Sequence, residues 1–393
     1  MNTTRKREHG SGSISKRKDG TWTARIMTGY TAEGKPKIKA VYARTEKEVK
    51  AKLKALLKEA TKDDFDVVQK GSVSDYLLSW LNNNRRNALK PKSFDRLEQT
   101  IENQVVPYIG HIQLAAIKSS DVQNMVNSLR DNGYSYSSIK KAYDAVNACF
   151  KTGLIQRTVT FNPALGVTLP AKSLFEQHEL RFYTKEELRR IYDAARYTYS
   201  NGKRKYRLGD FVIFDANTGL RAAELLALRW SDIDMESRLM TVRNTRVLVK
   251  NRDGSAKKYK MIEQQSTKTI SGTRKMFLNN DAYGALLALK EGTGNFEYVL
   301  STTSGEPIGM RYLDRTFRNI LVTAGFPDEK IFGVHSLRHT FASLLFASGV
   351  DVKTVSELLG HSDTAITYNT YIHLIQQQRI DAINKISDFM NDN

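Results

Sequence analysis

Side chains alternate with a period of two near the start of the chain, and a helical rhythm takes over after residue 45. Trp22, Ala24 and Ile26 interleave with Thr21, Thr23, Arg25 and Met27, the pattern of a strand with one face buried and the other free. Gly12–Lys16 and Lys35–Tyr42 read as two further strands. Arg17-Lys18-Asp19-Gly20 and Thr31-Ala32-Glu33-Gly34 supply the turns, and Asp-Gly is a strong hairpin signal. Over Thr45–Thr61 the apolar positions become Val49, Leu53, Leu56 and Leu57, one stripe of a helix otherwise rich in lysine. Lys62–Ser72 is a polar linker. Helices then read over Val73–Leu81, with Ser72 or Ser74 as cap, and over Lys92–Val106, Ser119–Asp131 and Ser135–Thr152. Short polar connections make these a bundle. After a second linker at Leu169–Leu180, Thr184 and Glu187 form a capping box that opens a third unit. That unit is mostly helical, with strands between Leu239 and Leu278. The expected fold is multidomain α+β: a three-stranded sheet plus helix over 1–65, a helical bundle over 70–172, and a mainly α domain with a small antiparallel sheet over 180–393.

Charge narrows the partner. The chain carries a formal net charge of +19, which draws it to polyanions. Residues 1–60 hold 16 Lys/Arg against 6 Asp/Glu, and residues 70–172 hold 13 against 7. Nucleic acid is therefore the leading partner. A membrane is the weaker rival, because no apolar run approaches the roughly 20 residues that span a bilayer, and no basic amphipathic helix carries aromatic anchors. The first ten residues lack the apolar stretch of a secretory signal, so a cytoplasmic protein is expected. Cys149, the single cysteine, sits in the apolar helical stretch Ala145–Phe150 and reads as a buried structural thiol, with no disulfide framework or cysteine zinc site.

The third unit carries the reactive side chains. Arg221 follows Thr218-Gly219-Leu220, and Glu224 lies one turn later, placed to orient a cationic group. His335 and Arg338 share a face at the start of an apolar helix, Ser336–Ser348. His339 is expected to face another direction and to be structural. Gly360 reads as a helix C-cap that lets His361 emerge from a turn. Arginines hold two phosphate oxygens at once and never lose their charge, and a histidine can move a proton near neutral pH. Taken singly, each motif fits a surface or structural role. Together they are tools for attack on a phosphodiester, with no carboxylate pair for two-metal cleavage and no Gly-rich nucleotide loop.

In order and context these residues resemble the tyrosine recombinase (phage integrase) family, notably the integrases of conjugative transposons and temperate phages of Gram-positive bacteria. The resemblance implies a catalytic set of Arg221, Lys268, His335, Arg338, His361 and Tyr371. Tyr371 stands ten residues after His361 and is followed by His373, as in the family; Tyr368, at seven, departs from that spacing. Lys268 matches the family's lysine context best among Lys257, Lys258, Lys260, Arg274 and Lys275, and would protonate the leaving 5′ oxygen. The implied activity is integration and excision of a mobile element through a 3′-phosphotyrosyl link, without metal, cofactor or ATP. The first unit then resembles an arm-site DNA-binding domain, with contacts expected from Arg17, Lys18, Arg25, Lys35, Lys37 and Lys39. The bundle resembles a core-binding domain, with contacts from Lys90, Lys92, Lys140 and Lys141. Implied partners are double-stranded DNA bearing attachment sites, a homotetramer on synapsed DNA whose tail helix (Ile372–Asn393) docks on a neighbour, an excision factor and a host DNA-bending protein. The competing readings are a type IB topoisomerase and a noncatalytic DNA-binding regulator.

Overall fold

A computed structural model of the chain describes residues 13–17, 19–30, 36–63, 71–175, 180–265, 273–372 and 375. Lys18, Lys35, Lys268 and the tail beyond residue 375 lie outside the described residues. The chain forms two compact units, Met1–Phe175 and Glu176–Asn393.

In the first unit β1 (Ser13–Lys16), β2 (Trp22–Tyr30) and β3 (Pro36–Ala43) make an antiparallel sheet in sequence order. The Asp19-Gly20 turn forms as its sequence predicts: Gly20 takes φ 83° and the Asp19 carboxylate accepts from the Thr21 amide at 3.0 Å. Ala24 and Ile26 are buried against Val49 and Leu53 of α1 (Glu46–Asp63). The register sets Arg25 opposite Ala40 and Ile26 opposite Lys39. Cross-strand partners share a face, so the exposed Arg25 and Lys39 belong to opposite faces of the sheet.

The bundle has its own core, which includes Leu77, Trp80, Ile101, Val126, Val146 and Phe150. Its helices are α2 (Val73–Trp80), α3 (Pro91–Thr100), α4 (Val106–Ile109), α5 (Ser119–Asp131) and α6 (Tyr136–Ile155). Ser72 is the cap of α2, in a reciprocal box with Asp75. Two π-helical turns, Leu81–Arg85 and Ile101–Val105, extend α2 and join α3 to α4. Cys149 is fully buried, and burial raises its thiol pKa.

The second unit opens with α7 (Lys185–Ala195), capped by the Thr184–Glu187 box. Next comes α8 (Phe211–Thr218), whose Phe211, Val212, Ile213, Phe214 and Ala216 are all buried. A helix apolar on every side belongs at the centre of a domain, and α8 packs there against α7, α10 (Asn280–Thr293) and α12 (His335–Ala347). After Arg221 comes the short helical turn α9 (Ala222–Leu225). The extended stretch Leu239–Lys250 is divided at Arg243. Before it, β5 (Leu239–Val242) pairs with β4 (Ile233–Asp234) and β8 (Arg274–Phe277); after it, β6 (Asn244–Lys250) pairs with β7 (Tyr259–Gln265). The break falls where the hydrogen-bonding partner changes, and Arg243 is held there by Asp232 at 2.9 Å. Helices α11 (Met310–Thr323) and α13 (Val352–Leu359) follow, and residues 364–372 are helical. Among the described residues no helix is long and apolar enough to cross a membrane.

Candidate active site

Two glycines bring the reactive segments together. Gly219 ends α8 at φ 58°, and a Cβ there would lie 2.3 Å from the Phe341 ring. Gly360 ends α13 at φ 65°, where a Cβ would press on the Arg274 guanidinium at 2.9 Å. Only glycine combines this left-handed backbone with so close an approach. The carbonyls beside these turns become acceptors for the arginines.

Arg338 is 3% exposed. It donates to the Gly219 carbonyl at 2.8 Å and, through the other arm of the guanidinium, to the Leu359 carbonyl at 2.7 Å and His361 Nε2 at 2.9 Å. A guanidinium only donates, so His361 Nε2 accepts and its Nδ1 carries the proton toward Thr367 Oγ1 at 2.7 Å. Burial first, then the Arg338 and Arg221 charges, hold the His361 pKa down to about 4, so the ring is neutral near pH 7. Arg221 donates to Glu224 at 2.8 Å and to the Gly360 carbonyl at 2.9 Å, and its side chain remains 36% exposed.

Glu224 is the anion of the cluster. Its side chain is fully buried between Arg221 and Arg274, and Arg274 grips both oxygens at 3.1 and 2.9 Å while donating to the Leu358 carbonyl at 3.0 Å. Burial alone would raise the carboxyl pKa, but the Arg274 bonds and the two cations hold it at about 2. One carboxylate therefore serves two guanidiniums, with Arg338 close by. Burial, then Arg221, push the Arg338 pKa downward, a cost that a bound anion would offset. Asp215 of α8 is 1% exposed with Oδ1 unpartnered, and burial raises its pKa well above the ordinary carboxyl value.

The tyrosine meets α12 at His339, the residue after Arg338. Tyr371 is 2% exposed and packs with Ala342, Phe346, Val355 and Leu359. Its hydroxyl meets His339 Nδ1 at 2.8 Å. Burial raises the phenol to about 12, against the pull of Arg338. His339 also touches the His335 ring edge-on, with centroids 4.7 Å apart. The structure thus differs from the expectation for His339: spacing of four places it on the same helix face as His335.

Of the residues expected from sequence, Arg221 with Glu224 and Arg338 with His361 converge on the adjacent carbonyls of Gly360 and Leu359, and His335 and Tyr371 meet across His339. Sequence reasoning missed His339, Arg274 and Thr367. The first carried a readable signal in its spacing; the other two became visible only with the partners that folding gives them. Among the expected DNA contacts, Arg17, Arg25 and Lys39 are exposed, while only the backbone of Lys37 is described. Lys90 precedes α3 and Lys92 lies in its first turn. Lys140 is paired with Asp144 at 2.8 Å, and Lys141 lines a cavity of about 400 Å³ beside Trp80 and Arg96. Among the described residues no three His, Cys, Asp or Glu side chains are grouped to hold a metal ion.

This chain matches the Phage integrase family over residues 181–378, and the "Phage integrase, N-terminal SAM-like domain" over residues 72–130. It is 30% identical over 386 residues to a tyrosine recombinase XerC-like protein of Caldanaerobacter subterraneus subsp. tengcongensis, covering 92% of this chain and 95% of that one. It is 22% identical to the integrase of Staphylococcus phage L54a, over 75% of this chain and 86% of the other. Among solved structures it resembles the Tn1549 transposon integrase in complex with transposon right end DNA, with TM-score 0.63, 20% identity, and 80% of this chain and 99% of that chain covered. A lambda integrase dimer bound to a COC′ core site gives TM-score 0.55 and 17% identity over 93% of this chain and 96% of that one.

Proposed function

This chain belongs to the phage integrase family of tyrosine recombinases, and we propose that Tyr371 is the residue through which it cuts and rejoins DNA. The enzyme is a site-specific recombinase. The observation that carries the assignment of residues is the convergence of Arg221 and Arg338 on the adjacent carbonyls of Gly360 and Leu359, with His361 bonded to Arg338 and Tyr371 tied to the same helix turn through His339. Tyr371 Oη attacks the scissile phosphate, forms a 3′-phosphotyrosyl bond and releases a 5′ oxygen. Arg221 and Arg338 hold the nonbridging oxygens as charge builds there. His335 adds a donor to the phosphate, His361 accepts from Arg338 and so fixes the aim of its guanidinium, and Lys268 supplies the proton to the leaving oxygen. The 5′-hydroxyl of the partner duplex then displaces the tyrosine. Bond energy stays in the protein–DNA link, so the exchange consumes no nucleotide.

The substrate is double-stranded DNA with the attachment sites of a mobile element, which the enzyme integrates and excises in the cytoplasm. Residues 1–65 are the arm-type DNA-binding domain, 70–172 the core-binding domain and 180–393 the catalytic domain. Separate cores in the sheet and the bundle, and an excess of Lys and Arg over Asp and Glu in each segment, support this division. The neighbouring lambda integrase has also been seen as a tetramer bound to a Holliday junction, which supports a tetramer for this chain on synapsed DNA. An excision factor and a host DNA-bending protein complete the assembly, and the tail helix docks on the adjoining protomer.

Strand exchange tests the reading. Two duplexes carrying the element's joined ends and its target should yield recombinant junctions with the wild type and none with Tyr371→Phe. Relaxation of any supercoiled plasmid without new junctions would indicate a topoisomerase. Tight site binding without cleavage would indicate a regulator.

A further inference from the structure

We infer that His339 is the proton acceptor for Tyr371, and so a catalytic residue of the cleavage step. The inference rests on the reading of Tyr371 as nucleophile. His339 Nδ1 lies 2.8 Å from the Tyr371 hydroxyl, within reach of a direct proton transfer. His335, the other histidine at this turn, touches His339 ring to ring; among the described hydrogen bonds, that of the Tyr371 hydroxyl is to His339. A phenol held in an apolar pocket by Phe346, Val355 and Leu359 is a poor nucleophile, so an acceptor at its oxygen matters more here than in water.

The groups around the imidazole fit an acceptor. His335 and Arg338 face it from its own helix, Tyr371 from residues 364–372, and Arg181 borders the cavity of about 340 Å³ that His335 and His339 also line. Burial first, then His335 and Arg338, keep the His339 pKa down to about 4. The ring is therefore neutral near pH 7 and free to accept at Nδ1, with its own proton on Nε2. As Oη bonds to phosphorus, its proton passes to Nδ1, and the bond from phosphorus to the 5′ oxygen breaks with a proton from a separate donor. In the second step the 5′-hydroxyl returns its proton to that donor and displaces Oη, which takes its own proton back from His339.

The test is single-turnover cleavage of a nicked suicide duplex by the full chain between pH 6 and 8. Wild type, His339→Gln and Tyr371→Phe are compared, and Tyr371 is also replaced by a fluorotyrosine of lower pKa in the first two. His339→Gln should cut about 100-fold more slowly at neutral pH, within the range of a lost general base, with DNA affinity unchanged. Its rate should climb about tenfold per pH unit, as expected when free phenolate must form, whereas the wild-type rate stays level. Fluorination should recover about tenfold or more of the loss in His339→Gln and little in wild type, because an acidic phenol needs less help from a base. A loss under about threefold, or a larger one that neither pH nor fluorination changes, would reduce His339 to packing. If His339→Gln does not fold, the wild-type pair decides: level profiles for both phenols support the acceptor, and a tyrosine rate climbing with pH overturns it. An adduct that survives Tyr371→Phe would instead overturn the nucleophile assignment itself.

Discussion

At the scale of single residues, the site depends on the direction of hydrogen bonds as much as on charge. Arg338→Lys keeps the cation but cannot reach the carbonyls of Gly219 and Leu359 and His361 Nε2 together. Cleavage should fall by about 10²-fold or more, the scale of one lost transition-state donor, while DNA affinity changes little. Glu224 makes the clearest pH prediction. Its pKa is about 2 in the fold against an ordinary 4.5, so between those values the unfolded chain binds the extra proton. Stability gained from Glu224 is complete above about pH 4.5 and is lost as pH falls toward 2, by up to roughly 3 kcal/mol. Urea unfolding of the wild type and Glu224→Gln across that range should show the variant less stable at pH 6, with the difference shrinking toward pH 2. The sequence made Glu224 legible as a partner for a cation, since three residues separate it from Arg221. It did not make Arg274 legible: that side chain lies 50 residues away, and only the pairing of β8 with β5 delivers it to the same carboxylate.

At the scale of elements, turns hold the geometry. Gly219→Ala must strain a backbone at φ 58° and move the Phe341 ring, so calorimetry should show a loss of at least about 1 kcal/mol. Because the Gly219 carbonyl anchors Arg338, cleavage should fall further than stability alone explains. The turn at Thr218-Gly219-Leu220 and the cap at Gly360 were readable because glycine in such contexts has one main use. The capping box at Thr184 and the extent of the helix Ser119–Asp131 were readable for a similar reason, as their signals are local. The division of Leu239–Val249 at Arg243 was not, because a strand's partner is set by residues distant in sequence. The π-helical turns were missed too, because the wider turn is a matter of backbone hydrogen bonding and no residue type marks it.

At the scale of the whole molecule, a basic chain that recombines DNA should bind it through phosphate contacts. Affinity should fall by about 10³-fold or more between roughly 50 and 200 mM salt, with a linear double-logarithmic slope, as multiple phosphate contacts require. Fluorescence anisotropy on a site-bearing duplex measures this. The most direct test of the account is covalent. A nicked suicide duplex carrying the element's end is incubated with the full chain in chelator and without nucleotide, then denatured and digested with protease, and the DNA-linked peptide is sequenced by mass spectrometry. The account predicts one 3′-phosphate-linked peptide, joined through Tyr371 and absent from Tyr371→Phe. A link through Tyr368, or efficient cleavage without any protein–DNA adduct, would contradict it.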